Sequence, residues 1–159
     1  MTALLVQLAD AITEEINSDD WGLDFEAKRS YADWDLKLDA DVGLLVDVVP
    51  ARRKKLPIEN RSLRDHELTV HVGIRRKFAP QSQDTFTGRI ETAEVDALIA
   101  LAEDIESHFD YQERLAGMPA SALVSANLLG DYDRELLYEN RQFVSVIELT
   151  YRCETEVSP

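Results

Sequence analysis

Three histidines, four clustered aspartates and one cysteine are the side chains whose types could do chemistry in this sequence. His66 and His71 lie five residues apart in a stretch that reads as a strand. That spacing puts them on opposite faces and prevents them from sharing a metal there. His108 falls at the C-terminal end of a helical pattern, where a cation is favourable in any case. Asp33, Asp35, Asp39 and Asp41 in "ADWDLKLDAD" could gather Mg²⁺ or Ca²⁺. The spacing lacks the glycine and terminal glutamate of a calcium loop, and no nuclease partner motif accompanies it. A solvated acidic turn is the simpler reading. Cys153 stands alone, so no intrachain disulfide can form, and a reducing cytoplasm is the expected place of folding. The chain holds no phosphate-cradling glycine pattern, no G-x-S-x-G elbow and no CxxC. The expectation is therefore no catalytic residue, no metal and no cofactor.

Charge is distributed less evenly than chemistry. The chain has 17 Lys and Arg against 31 Asp and Glu, a formal charge of −14. Residues 51–77 nevertheless carry nine cations (Arg52, Arg53, Lys54, Lys55, Arg61, Arg64, Arg75, Arg76, Lys77) and only three acids. The remaining 132 residues hold eight cations against 28 acids. Three readings compete for the basic segment. It could be a solvated decoration without a role. It could be a DNA-binding arm, although residues 51–65 contain no aromatic to stack on a base. Or it could dock on an acidic surface, which an identical neighbour supplies. Opposite charges on two faces of one molecule favour head-to-tail association, and such an interface closes into a ring when its rotation permits. The third reading is preferred.

The elements that must position these groups follow from periodicity. Leu5, Leu8, Ala9, Ile12 and Ile16 form one apolar stripe of a helix over residues 3–17. Leu23, Phe25, Ala27 and Tyr31 alternate with polar residues as in a half-buried strand. "LLVDVVP" reads as a second strand stopped by Pro50, and "ELTVHVGIRRKF" as a third. In the third, Leu68, Val70, Val72 and Ile74 point inward and Thr69, His71 and Arg75 outward. "TAEVDALIALAEDIESHF" is the main helix, with Thr92 as its N-cap and Val95, Leu98, Ala102, Ile105 and Phe109 as its stripe. "SALVSANL" suits a short strand, and "DRELLYEN" a helical turn or an approach to a strand. "QFVSVIELTYR" is the clearest strand of all, with Phe143, Ile147, Leu149 and Tyr151 on one face. The expected fold class is α+β, a mostly antiparallel mixed sheet flanked by two main helices. Residues 1–159 form a single domain, with a long basic loop (51–65) projecting between the second and third strands and a C-terminal tail at 153–159. Loops of that length in a compact domain are uncommon and are usually functional or disordered.

The totals narrow the class further. A hydrophobic fraction of 45% with 30% charge reads as globular. No apolar run approaches the ~20 residues that cross a bilayer, and "MTALLVQLADAITEEI" lacks the basic start of a secretory signal.

"FEAKRSYADWDL", "LLVDVVPARR", "HELTVHVGIRRKF" and "RQFVSVIELTYR" together resemble, in order and spacing, the tail-terminator (tail-completion) proteins of long-tailed bacteriophages. The resemblance spans residues 3–152, with 117–139 its poorest part. It implies a mixed sheet flanked by helices, assembled as a homo-hexameric ring without catalytic activity. One ring face would cap the tail-tube protein and the other would receive the head connector or stopper. Genomic DNA would pass through the lumen without specific binding, and no membrane is involved. The location implied is the head-proximal end of the virion tail, assembled in the host cytoplasm. By position after "VVP", the basic segment becomes the inter-subunit contact: Arg52, Arg53, Lys54, Lys55, Arg61 and Arg64, with Arg75, Arg76 and Lys77 as further interface residues. Rival readings are another neck, head-completion or tail-tube component, a metal-dependent phosphodiesterase using Asp33 to Asp41, and a small nucleic-acid-binding module.

Overall fold

The computed structural model describes residues 2–39, 41–57, 63–78, 83–84, 89–90 and 92–156. Helix α1 (Leu4–Asn17) leads into the short strand β1 (Ala27–Arg29), then β2 (Leu45–Lys55) and β3 (Leu63–Lys77). Two two-residue strands, β4 (Gln83–Asp84) and β5 (Arg89–Ile90), precede helix α2 (Thr92–Tyr111). Strand β6 (Ser121–Leu128), helix α3 (Arg134–Asn140) and strand β7 (Gln142–Glu156) complete the chain. The main sheet has the order β1-β2-β3-β7-β6, antiparallel except for β1, which pairs in parallel with β2. The architecture is α+β.

One face of the sheet carries the core. Leu68, Val70, Val72 and Ile74 of β3 stand beside Phe143, Ile147, Leu149 and Tyr151 of β7, all fully buried. Leu8, Ile12 and Ile16 of α1 and Leu98, Ile105 and Phe109 of α2 pack into the same cluster. The helical stripes thus fall where the 3.6-residue period puts them. His108 joins the two helices: its Nε2 lies 3.0 Å from Glu15 Oε1, and its ring stands edge-on to Trp21 and Phe109. Thr92 is the first residue of α2 rather than a residue before it.

The opposite face is covered too, which the alternation in β3 did not indicate. Because β1 and β2 are parallel, the chain between them must cross the sheet, and residues 30–39 do so as a strap. Trp34 lies over Gly73, so close that a Cβ there would stand 2.1 Å from Trp34 Cζ3. Gln142, fully buried, holds the strap at both polar ends of its amide. Its Nε2 donates to Leu36 O (2.9 Å), and its Oε1 accepts from Leu38 N–H (2.9 Å). Arg75, expected to point at solvent, is consequently buried, and Thr69 is buried too, its Oγ1 lying 3.3 Å from Thr150 Oγ1.

The first strand is shorter than expected. Leu23 and Phe25 pack against the core from outside the ladder, and Tyr31 is exposed, because only Ala27, Lys28 and Arg29 meet β2.

Candidate assembly interface

The segment expected to project as a loop over 51–65 is largely sheet. β2 runs to Lys55 and β3 begins at Leu63, so eight of the ten described residues in that range are strand. Arg52, Arg53, Lys54 and Lys55 pair with Thr69, Leu68, Glu67 and His66. A run without apolar residues carries no period of its own. Its conformation comes from β3, which pairs with β7 along fifteen residues and templates β2 on its other side. The C-terminal stretch changes likewise: residues 153–156 belong to β7 rather than to a tail. Together these ends form an arm: β2 (52–55), β3 (66–69) and β7 (150–153) lie side by side with β6 beyond them, and β3 (63–65) and β7 (154–156) continue to the tip as a pair.

Strand geometry divides the cations. Residues directly opposite in a ladder share a face. Arg53 and Lys55 therefore lie with Leu68 and His66 on the helix side, while Arg52 and Lys54 lie with Thr69 and Glu67 on the strap side. All four are exposed, and no described acid forms an ion pair with them. Arg64 joins Arg53, Lys55 and His66 along a groove of about 820 Å³ between the arm and Leu4 and Leu5 at the start of α1. His66 is buried, and its Nε2 lies 2.8 Å from Thr155 Oγ1 while Nδ1 has no partner among the described residues. Burial first, and then the charges of Arg53, Lys55 and Arg64, push its pKa below 6.5. The groove thus stays cationic even though its histidine resists protonation.

Arg75, Arg76 and Lys77 do not join this arm. Arg64 and Arg75 are eleven residues apart on β3, about 36 Å at ~3.3 Å per residue. Arg75, expected at an interface, is buried within the subunit. Its Nη2 donates to Asp47 Oδ2 (2.8 Å), its Nη1 donates to Asp33 O (3.2 Å), and its guanidinium lies 5.4 Å from the Trp34 ring. The strap needs a donor beneath it, and Arg75 is the residue that alternation places there. Arg76 and Lys77 sit half-buried opposite Phe143 and Gln142, at the far end of the sheet from the arm. Arg61 lies outside the described residues.

The four aspartates do not converge. Asp33 caps its own turn, with Oδ1 accepting from Asp35 N–H (3.0 Å), and among the described residues no three His, Cys, Asp or Glu gather as a metal site. His71 pairs instead with Glu148 at 3.1 Å. A second recess of about 480 Å³ lies between the strap and the β6–α3 connection, lined by Asp33, Trp34, His71, Tyr132 and Asp133 among others. Cys153 is buried on the helix side of the arm, and burial, with Glu154 and Asp65 nearby, raises its thiol pKa. Such a thiol is packed rather than reactive.

Sequence reasoning missed the arm, the Gln142 clamp and the Asp47–Arg75 pair. The arm had a signal: the alternation Tyr151, Cys153 continues past the end assigned to the last strand, and His66, Leu68 extends the third strand backwards.

No family model matches the chain, and no curated protein matches it. Among solved structures it is similar to the sheath/tube terminator of an extracellular contractile injection system (PVC) in its extended state, with a TM-score of 0.42 and 11% identity. The match covers 100% of this chain and 58% of that one. A likeness of this size carries no argument about what the chain does.

Proposed function

We propose that this chain is a structural subunit of a phage-tail-like particle, a terminator that caps the tail tube by associating with copies of itself. The observation that carries the reading is the arm. It presents four exposed cations that pair with no described acid, on a molecule whose other regions are strongly acidic. A charged edge of that kind is poorly suited to bury its own core and well suited to meet an acidic neighbour. The order of the stretches that resemble tail terminators supports the same reading. The expected stoichiometry is a homo-hexameric ring, with one face on the tube protein and the other on a head connector or stopper. In this role the chain acts by shape and charge and makes or breaks no bonds. Its net charge of −14 lets DNA pass along the lumen without adhering, because carboxylates repel phosphate.

Electron microscopy of the purified protein, alone and on tails, tests the reading. A six-fold annulus at the head-proximal tail tip is expected. A chain that stays monomeric at every concentration and is absent from particles would overturn it, and an annulus elsewhere in the neck would reassign it to another completion protein.

A further inference from the structure

The arm has two open edges of opposite charge. On one side, β1 covers β2 only as far as Val48, whose carbonyl also accepts from Ser30 N–H at 3.0 Å. Among the described residues, nothing pairs with the outer side of β2 beyond that point. On the other side, the last residue of β7 to meet β6 is Cys153, opposite Ser121, so residues 154–156 are paired with β3 alone. The first edge carries Arg52, Arg53, Lys54 and Lys55; the second carries Glu154 and Glu156. An unpaired edge is a template for another strand, and cations with a proline are what deter it from accepting the wrong one.

We propose that β2 of one copy adds to β7 of the next at residues 154–156, joining the two arms into a sheet continuous between subunits. This rests on the self-association argued above and specifies the surface that achieves it. The ladders give each strand's direction and each side chain's face, and charge matching sets the register. β2 and β7 are each antiparallel to β3, so both run outward toward the tip of the arm, and a copy added with the same orientation pairs in parallel. Arg52 and Lys54 share the strap side with Glu67, and so do Glu154 and Glu156, which stand opposite Asp65 and Leu63. Parallel addition therefore sets Arg52 beside Glu154 and Lys54 beside Glu156 on that side, with Arg53 beside Thr155 on the other. Pairing on the body side ends at Arg52 and Glu154, because β6 occupies the outer side of β7 from Cys153 inward; the irregularity between Pro50 and Arg52 is where β2 turns away.

The alternatives are disfavoured by the same charges. Two β2 edges facing each other would oppose cation to cation, and two β7 edges would oppose glutamate to glutamate. Only the head-to-tail arrangement matches. An open recess of about 490 Å³ lies over the strap-side face at this end of the sheet, lined by Leu63, Arg114, Arg152, Glu154 and Glu156 among others. The two arginines there are engaged within the subunit, Arg152 with Asp65 and Arg114 with Pro119 O.

Charge exchange tests the pairing. One variant carries Arg52→Glu and Lys54→Glu; the other carries Glu154→Lys and Glu156→Lys. Each alone should lose self-association by at least tenfold in sedimentation while keeping the parent's circular dichroism and melting temperature. A 1:1 mixture should regain it, because each variant then meets a complementary edge on the other. As a second measurement, Lys54→Cys with Glu156→Cys in a Cys153→Ser background should cross-link into multimers on oxidation, whereas Lys54→Cys alone should not. If the parent assembles, yet both variants assemble equally well or the mixture restores nothing and no cross-link forms, the edge pairing is wrong while the terminator reading stands. If the parent never assembles, both fall together.

Discussion

Replacing Gly73 with alanine perturbs the point where the Trp34 ring of the strap lies directly on the sheet backbone. The new Cβ would stand 2.1 Å from Trp34 Cζ3, 2.2 Å from Cη2 and 2.7 Å from Cε3. Carbon atoms not bonded to each other rest at ~3.5–4.0 Å, so the indole must retreat by roughly 1.5 Å or turn out of its site. Overpacking of this kind costs about 1–3 kcal/mol. Displacing Trp34 also removes its face from the Arg75 guanidinium, 5.4 Å away, and loosens the 3.2 Å bond from Arg75 to Asp33 O. Against this, alanine reduces the freedom of the unfolded chain and stabilises by ~0.4–1 kcal/mol where its conformation is allowed. The net expectation is destabilisation by about 1–3 kcal/mol. Urea unfolding followed by tryptophan fluorescence measures it, with Trp21 replaced by Phe so that Trp34 is the reporter. The same Gly73→Ala change made on a Trp34→Ala chain should cost nothing or stabilise, since nothing remains to collide with. An undisturbed or raised midpoint for Gly73→Ala in the presence of Trp34, with unchanged emission, would refute the close-approach account.

Two further outcomes follow from buried groups. Asp47→Ala leaves the Arg75 guanidinium buried without its carboxylate, a loss of about 3 kcal/mol in the same assay, because an orphaned buried charge costs more than the pair contributes. The folded-state pKa of His66 lies below its ordinary 6.5, so folding favours the neutral ring. Its contribution is present in full above pH 6.5 and is lost as pH falls through the lowered value. Melting temperature should therefore fall on acidification below pH 6.5, and His66→Gln should flatten that part of the profile; a parallel profile in the variant would remove His66 as the cause.

Where a side chain repeats at a fixed interval against the core, its role was legible without coordinates. The stripes of α1 and α2, the inward alternation of β3 and the shared face of Phe143, Ile147, Leu149 and Tyr151 are all local periods, and burial follows them. The isolation of His66 from His71 follows from the same period of two. The uneven placement of charge was also plain from composition, and it pointed to residues 52–55 before any fold was known.

What the linear order withheld was the set of contacts between distant residues. Residues 52–55 carry no apolar alternation, so their strand character depends on β3, and the length of β3 depends in turn on β7, some ninety residues later. Arg75 looks like its neighbours Arg76 and Lys77 in sequence, but the strap lies over Arg75, and Asp47, twenty-eight residues away, neutralises it. Periodicity reports which face a residue occupies; it cannot report what covers that face or which edge is left open. Those are decided when the chain crosses its own sheet, and at the arm they leave a basic edge on β2 and an acidic edge on β7.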